Sequence, residues 1–155
     1  MQDTSRDNAG VIAPPPLLYV VALVVSLLLH RKVPLPFSRR RMPMLSTLLV
    51  GAGLTTGFLA VSTMRRAQTS LNPSEPVKTL VVEGPFKVTR NPIYVSFTLI
   101  YIGIALLVNT LWPLLLLPVV QNVMRQGVIE REEWYLERKF GQEYLAYKER
   151  VPRWI

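Results

Sequence analysis

The sequence predicts an all-α integral membrane protein with about four transmembrane helices. Three long apolar segments, at 14–30, 43–64 and 92–124, contain no Asp, Glu, Lys or Arg. Half of the 155 residues are apolar, and the mean hydropathy is positive. About 20 consecutive apolar residues are enough to span a bilayer as a helix. The first two segments therefore each fit one crossing, and the third is long enough for two short ones.

The first two apolar segments are expected to form an N-terminal pair of transmembrane helices. They follow a polar segment, 1–13, for which we expect disorder. Basic residues come directly after the first segment, where a signal peptide would have a small-residue cleavage site, so we expect a membrane helix there. Gly53 and Gly57 lie one helical turn apart in the second segment. Such a pair of small residues lets helices pack closely in lipid.

The third apolar segment is expected to form a helical hairpin. Asn109-Thr110 lies in its middle and is followed by Pro113, a combination that favours a tight turn. At its start, Asn91 fits a helix N-cap, and Pro92 fits the first helical position, where a missing N–H costs nothing. Tyr94 fits an aromatic residue at the membrane interface.

The loop at 65–91 is too apolar for a simple tether and is expected to contain short extended pieces. The run VKTLVV at 77–82 favours a strand-like conformation. A turn is expected at Glu83-Gly84-Pro85. A second extended piece, FKV, comes after it.

Residues 127–150 predict a charged amphipathic helix, with a candidate interruption at Gly141. At 100° per residue, Glu132 and Glu133 flank the apolar stripe of this helix. Two carboxylates on its inward side are costly unless something pairs with them. Two interpretations remain open: the pair binds a cation, an amino group or a ribose of a ligand, or it pairs with basic residues of the 65–91 loop. Those basic residues are Arg65, Arg66, Lys87 and Arg90.

The charge distribution predicts the orientation in the membrane. With four spans, both termini and the 65–91 loop share one side and carry thirteen of the 18 Lys and Arg residues. The positive-inside rule places that side in the cytoplasm. The first loop, 31–42, carries the other five, including the RRR cluster at 39–41, and conflicts with this orientation. The net charge of +8 is explained by topology and anionic lipid, so no nucleic-acid partner is expected. The chain has no cysteine and one histidine, so no metal site is expected.

Two motifs with a hydrophobic hairpin between them carry a family resemblance. They are GPFKVTRNPIY at Gly84–Tyr94 and EEWYLERKFGQEYLAYKERVPRW at Glu132–Trp154. Together they resemble the isoprenylcysteine carboxyl methyltransferase / phospholipid methyltransferase superfamily of small membrane enzymes, over about Val77–Ile155. The resemblance implies an S-adenosylmethionine-dependent methyltransferase without a Rossmann domain. It also implies a cofactor pocket at the cytoplasmic face, between the loop before the hairpin and the C-terminal helix.

The resemblance also assigns site residues. It implies catalytic roles for Arg90 and Asn91. Asn91 stands where many members have histidine, which removes a titratable group, and Ser96 stands near a position where glycine is common. The residues implied to bind the cofactor are Gly84, Pro85, Phe86, Val88, Arg90, Asn91, Tyr94, Glu132 and Glu133.

The leading hypothesis is therefore a membrane methyltransferase, with two N-terminal transmembrane helices at 14–64 and a methyltransferase core at 65–155. We expect a lipid or other apolar small molecule as acceptor, methylated on a carboxylate, amine or thiol, and a location in the bacterial inner membrane. One alternative is a sterol-reductase-like enzyme that uses NADPH. The other is a non-catalytic basic module that scaffolds proteins or binds anionic lipid, which predicts ion-paired glutamates and a closed pocket.

Overall fold

The chain folds into helices and irregular connections, and no strand occurs among the residues that the structure describes. The computed structural model describes residues 8–38, 41–72 and 75–155. A 3₁₀ turn at Gly84–Lys87 precedes the hairpin, and a π-helical turn occupies Arg125–Ile129. The α-helices are α1 (Pro15–Lys32), α2 (Pro43–Arg66), α3 (Pro92–Val108), α4 (Trp112–Met124), α5 (Glu130–Phe140) and α6 (Gln142–Arg150). The predicted all-helical class is confirmed.

Two of these helices, α1 and α2, are long and apolar enough to cross a membrane. The third, α3, is apolar but shorter, with 17 residues, or about 25 Å at 1.5 Å per residue. α4 has 13 residues, but its helical course continues through the π-turn into α5. By length and composition, the described residues therefore contain two candidate membrane spans.

The four apolar helices alternate in direction, with α3 in the middle. α2 packs along one side of α3, and α1 and α4 pack on the other. The turn after α3 meets the loop after α1, where the Asn109 amide exchanges two hydrogen bonds with the Ser38 backbone, at 2.9 and 3.1 Å. Asn109 adopts the left-handed conformation, with φ +58°, which commonly ends a helix. The turn predicted at Asn109-Thr110 is present.

Glycines set the close approach of α2 and α3. A Cβ on Gly53 would lie 2.9 Å from the Ser96 carbonyl oxygen and 2.7 Å from an Ile100 side-chain carbon. A Cβ on Gly57 would lie 2.6 Å from the Ser96 hydroxyl oxygen. Gly103 of α3 makes the reciprocal approach to α2, against Val50. The packing role predicted for Gly53 and Gly57 is confirmed.

A partly buried polar cluster joins α1, α3 and α4. The hydroxyl oxygens of Tyr19 and Thr98 lie 2.8 Å apart, and the Gln121 amide donates to Thr98 at 2.9 Å. Thr98 also donates to the Tyr94 carbonyl at 2.9 Å. Polar side chains within a membrane bundle are stabilised by satisfying one another, so this cluster fixes the relative positions of the three helices.

The extended pieces predicted in the loop before the hairpin are wrong. FKV begins within the 3₁₀ turn rather than in a strand, because Gly84 has a positive φ of +56° and Pro85 restricts the next residue. The VKTLVV run has no neighbouring strand to pair with in the described structure. Side chains take its backbone N–H groups instead: Val77 donates to the Tyr135 hydroxyl and Lys78 to the Thr69 hydroxyl.

The N-terminal segment is ordered from residue 8 onward, although the sequence predicts disorder over 1–13. Residues 1–7 lie outside the described residues. The Ile12 amide donates to the Gly127 carbonyl at 3.1 Å, and Arg131 donates to the Gly10 carbonyl at 2.8 Å. The Ile12 side chain lies where a Cβ on Gly127 would project. The N-terminal segment can therefore pack against the π-turn because Gly127 has no side chain.

Gly53→Ala is expected to destabilise the bundle, whereas Gly51→Ala should not. The methyl group added at position 53 would press on the α3 backbone. Overpacking of this kind costs about 1–3 kcal/mol. Gly51, two residues away in the same helix, has nothing within 4 Å of its Cβ position. Thermal unfolding of both variants in detergent measures the difference. Equal melting temperatures would contradict the proposed packing constraint.

Candidate active site

A cavity lies at the end of the bundle where α2 ends and α3 begins. Its empty volume, which includes the solvent-open mouth, is about 950 Å³. Six predicted site residues line it: Phe86, Arg90, Asn91, Tyr94, Glu132 and Glu133. The remaining wall residues are Ala9, Met64, Thr69, Ser70, Leu71, Asn72, Val77, Thr79, Leu80, Val81, Pro92, Ile93, Tyr135, Leu136, Tyr144 and Tyr147.

Three of the residues implied to bind cofactor do not line this cavity. Gly84 turns the chain against α2, where a Cβ would lie 2.9 Å from the Thr63 hydroxyl. Pro85 restricts the same turn, and Val88 is 57% exposed. The structure therefore brings the polar members of the predicted set together and leaves these three outside the wall.

Glu133 is shared between two arginines. The Arg90 guanidinium donates through Nη1 to Glu133 Oε1 at 2.9 Å. The Arg153 guanidinium makes a two-point contact, from Nε to Oε1 at 2.9 Å and from Nη2 to Oε2 at 2.8 Å. The Glu133 and Arg90 side chains are about nine-tenths buried. Burial of a carboxylate is costly unless it is paired and hydrogen-bonded, and here both conditions are met.

Arg90 retains an unused donor. Its Nη1 also donates to the Tyr144 hydroxyl at 3.2 Å, but its buried Nε has no hydrogen-bond partner. A buried guanidinium donor without a partner carries a desolvation cost. Because Arg90 lines the cavity beside the N-terminus of α3, this cost is offset if an anionic ligand binds there.

Glu132 occupies a different environment from its neighbour. The Tyr94 hydroxyl donates to both of its carboxylate oxygens, at 2.7 and 2.9 Å. No ion pair involves Glu132 within the part of the chain that the structure describes. Burial raises the pKa of Glu132 from its usual value of 4.5 to about 7, the Tyr94 hydrogen bond lowers it, and the Glu133 charge raises it. Glu132 is thus a carboxyl group in the cavity wall that titrates near neutral pH.

The sequence left two interpretations of the glutamate pair, ligand binding and ion pairing, and each applies to one of the two residues. Glu133 pairs with Arg90, as the ion-pair interpretation expects, and with Arg153 rather than with Arg65, Arg66 or Lys87. Glu132 is held by a tyrosine and remains open to a ligand.

The Asn91 side chain does not cap α3. It occupies the N-cap position and Pro92 the first helical position, as predicted, but it makes no capping hydrogen bond. Its Nδ2 donates instead to the Arg153 carbonyl at 3.1 Å, beside the Thr89 hydroxyl, which donates to the same oxygen at 2.8 Å. The Arg90 amide donates to the adjacent Pro152 carbonyl. The Asn91 amide is therefore bonded to the C-terminal segment rather than to the first turn of α3.

Sequence reasoning missed three residues that contact the predicted site residues: Arg153 and the two tyrosines of α6. The Tyr147 hydroxyl donates to the Phe86 carbonyl at 2.7 Å and ties α6 to the 3₁₀ turn. Burial and the Glu133 charge raise the pKa of Tyr144 to about 12, so it stays neutral beside Arg90. The motif that ends in VPRW contained the signal, because it places tyrosines and an arginine at fixed distances after Glu132-Glu133.

Comparison with known proteins identifies the family. The family model of phospholipid methyltransferases matches residues 42–143, about two thirds of the chain. The chain belongs to the phospholipid methyltransferase family. The matched range includes α2, the hairpin and α5, whereas Tyr144, Tyr147 and Arg153 lie beyond it.

A short segment also matches a curated relative. An uncharacterized protein from Haemophilus influenzae is 58% identical over 33 residues, which is 21% of this chain and 52% of the relative. The chain thus spans about half the length of the curated relative it matches. No solved structure matches this chain.

Glu132→Gln is expected to raise stability at neutral pH and leave it nearly unchanged in acid. The unfolded chain releases this proton near pH 4.5 and the folded chain near pH 7. The free energy of unfolding of the wild type therefore falls as the pH rises between those two values, and it stays lower above them. The shift corresponds to roughly 3 kcal/mol, and glutamine still accepts the Tyr94 hydrogen bond.

Melting temperatures at pH 5 and pH 8 test this expectation, with the exposed Glu143→Gln as the control. The melting temperature of Glu132→Gln should exceed that of the wild type by more at pH 8 than at pH 5. For the control, the difference from wild type should be the same at both pH values. A gain of equal size at both pH values would contradict the raised pKa.

Proposed function

We propose that this chain is an S-adenosylmethionine-dependent methyltransferase that methylates a lipid or other apolar acceptor at the membrane surface. The observation that carries the proposal is the pairing, in one cavity wall, of a buried Arg90 donor without a partner and a Glu132 carboxylate without a cation among the described residues. Family membership supplies the reaction class.

The wall residues fit the polar groups of this cofactor. Its α-carboxylate would be held by Arg90 and the N-terminus of α3, because both favour an anion. Its ammonium group or ribose hydroxyls would be held by Glu132, which has room for donors beside Tyr94. The cofactor supplies an electrophilic methyl group on a sulfonium, and transfer in line with the acceptor depends mainly on positioning. Asn91 acts through its bond to the C-terminal segment, as a positioning residue.

The acceptor is expected to approach from the bilayer. Met64 in the last turn of α2 and Ile93 in the first turn of α3 are apolar wall residues where the cavity meets the apolar helices. A carboxylate acceptor needs no base. An amine or thiol acceptor must lose a proton, and Glu132, with a pKa of about 7, is suited to accept it.

The two alternatives have less support. A non-catalytic basic module requires ion-paired glutamates and a closed pocket, whereas the cavity is open and Glu132 is held by Tyr94. A sterol-reductase-like enzyme has no support from the family match.

Purified protein should bind S-adenosylmethionine, and Arg90→Met and Glu132→Gln should each weaken binding. Loss of a charge-assisted hydrogen bond corresponds to roughly 10- to 100-fold in affinity. Arg138→Met is the control, because Arg138 stacks on the exposed Trp134. Calorimetry measures affinity, and melting temperatures confirm that the variants fold. Absence of binding to wild type at millimolar cofactor would refute the proposal, and radiolabelled methyl transfer into a total lipid extract would identify the acceptor.

We further propose four membrane crossings in the bacterial inner membrane, with the site in the cytoplasm. The loop at 33–38 and the turn after α3 meet at one end of the bundle, and the cavity lies at the other. The continuous course of α4 through the π-turn lengthens the fourth crossing. The basic residues of the 31–42 loop would then face the periplasm, against the general rule.

Single-cysteine variants test this topology directly, because the chain has no cysteine of its own. Cysteine in place of the exposed Phe37 should react with a membrane-impermeant maleimide in intact spheroplasts. Cysteine in place of the exposed Glu149 should react only after lysis. The reverse pattern would show the opposite orientation, and labelling of both in intact spheroplasts would rule out four crossings.

A further inference from the structure

Arg153 connects two sides of the cavity without lining it. Its carbonyl oxygen accepts hydrogen bonds from Thr89 at 2.8 Å and Asn91 at 3.1 Å, both just before α3. Its guanidinium holds Glu133 of α5 at two points, 2.9 and 2.8 Å. Arg153 lies beyond the residues that the family model matches.

The geometry at Glu133 shows how Arg153 limits the contact that Arg90 makes. Arg153 donates to both carboxylate oxygens, whereas Arg90 makes a single contact, from Nη1 to Oε1. A guanidinium and a carboxylate alone would favour a parallel two-point pair. That pair would use two Arg90 donors and leave no excess charge. With Arg153 present, two arginines share one carboxylate, and the cluster keeps one positive charge next to the cavity.

We propose that Arg153 is a positioning residue that occupies Glu133 and so keeps Arg90 available for the anionic group of the ligand. The inference rests on the proposed function, in which that group is the carboxylate of the cofactor. Arg153 acts through Glu133 and Arg90, because it does not reach the cavity wall itself.

The test compares two probes that differ in the amino-acid part, which carries the carboxylate and the ammonium group. S-adenosylhomocysteine has the amino-acid carboxylate, whereas 5′-methylthioadenosine keeps the adenosine and lacks that part. Arg153→Met should lower the affinity for S-adenosylhomocysteine about 10-fold. It should change the affinity for 5′-methylthioadenosine by less than about twofold. Arg150→Met is the matched control, three residues earlier, because Arg150 is exposed and donates to the Ala146 carbonyl of its own helix. It should change neither affinity.

A second substitution separates positioning from a merely structural role. In Arg153→Met, the freed Glu133 captures Arg90, so adding Glu133→Gln should release Arg90 and restore part of the S-adenosylhomocysteine affinity. A structural defect would worsen when another polar contact is removed. Arg153→Lys should fall between wild type and Arg153→Met, because lysine keeps the charge but not the two-point contact, and it serves as the variant if Arg153→Met does not fold.

The possible binding results separate this inference from the proposed function. If Arg153→Met lowers the affinity for both probes equally, the positioning role is overturned and the proposed function stays intact. The same holds if the double variant recovers no affinity for S-adenosylhomocysteine. Unchanged affinities in Arg153→Met would have the same consequence. Wild-type protein that binds neither probe would overturn the proposed function and, with it, this inference.

Discussion

The Glu133 carboxylate, buried between Arg90 and Arg153, joins three parts of the chain that are distant in sequence. It fixes the start of α3 against α5, and through Arg153 it fixes the C-terminal segment against both. Removing one partner of a buried ion pair costs about 3–5 kcal/mol, because the other charge is left uncompensated. The cavity depends on this contact, since the contact holds the start of α3 and α5, which form its walls, in place.

The bundle of apolar helices makes that contact possible at one end. Glycines bring α2 and α3 together, and the Tyr19–Thr98–Gln121 cluster aligns α1 and α4 with them. Charged side chains are expensive within the bilayer, and every described glutamate lies outside the helices that form the apolar bundle. The π-turn between α4 and α5 adds a residue to one helical turn and so rotates α5 about its axis relative to α4. The direction in which Glu132 and Glu133 face is therefore set where the apolar bundle ends.

The fold was largely predictable because its signals are local. Apolar runs give α1 and α2 to within two residues, and Asn109 and Gly141 mark the breaks where the structure has them. The 65–91 loop was not predictable in detail, because its backbone groups bond to side chains such as Tyr135, 58 residues away. The same holds for the site. The glutamates follow from helical periodicity. The Asn91 amide, in contrast, bonds to a carbonyl 62 residues away, and Arg153 bonds to a glutamate 20 residues away in α5.

Asn91 shows how one departure from the family pattern redistributes roles in the site. An asparagine cannot titrate near neutral pH, and here its amide is engaged by the Arg153 carbonyl. Any proton released by an acceptor must then go elsewhere. Glu132 meets the requirement, because its pKa is about 7 and it faces the cavity next to Tyr94. In this chain, therefore, the residue before the helix holds the walls together, and the capacity to accept a proton lies on the facing helix.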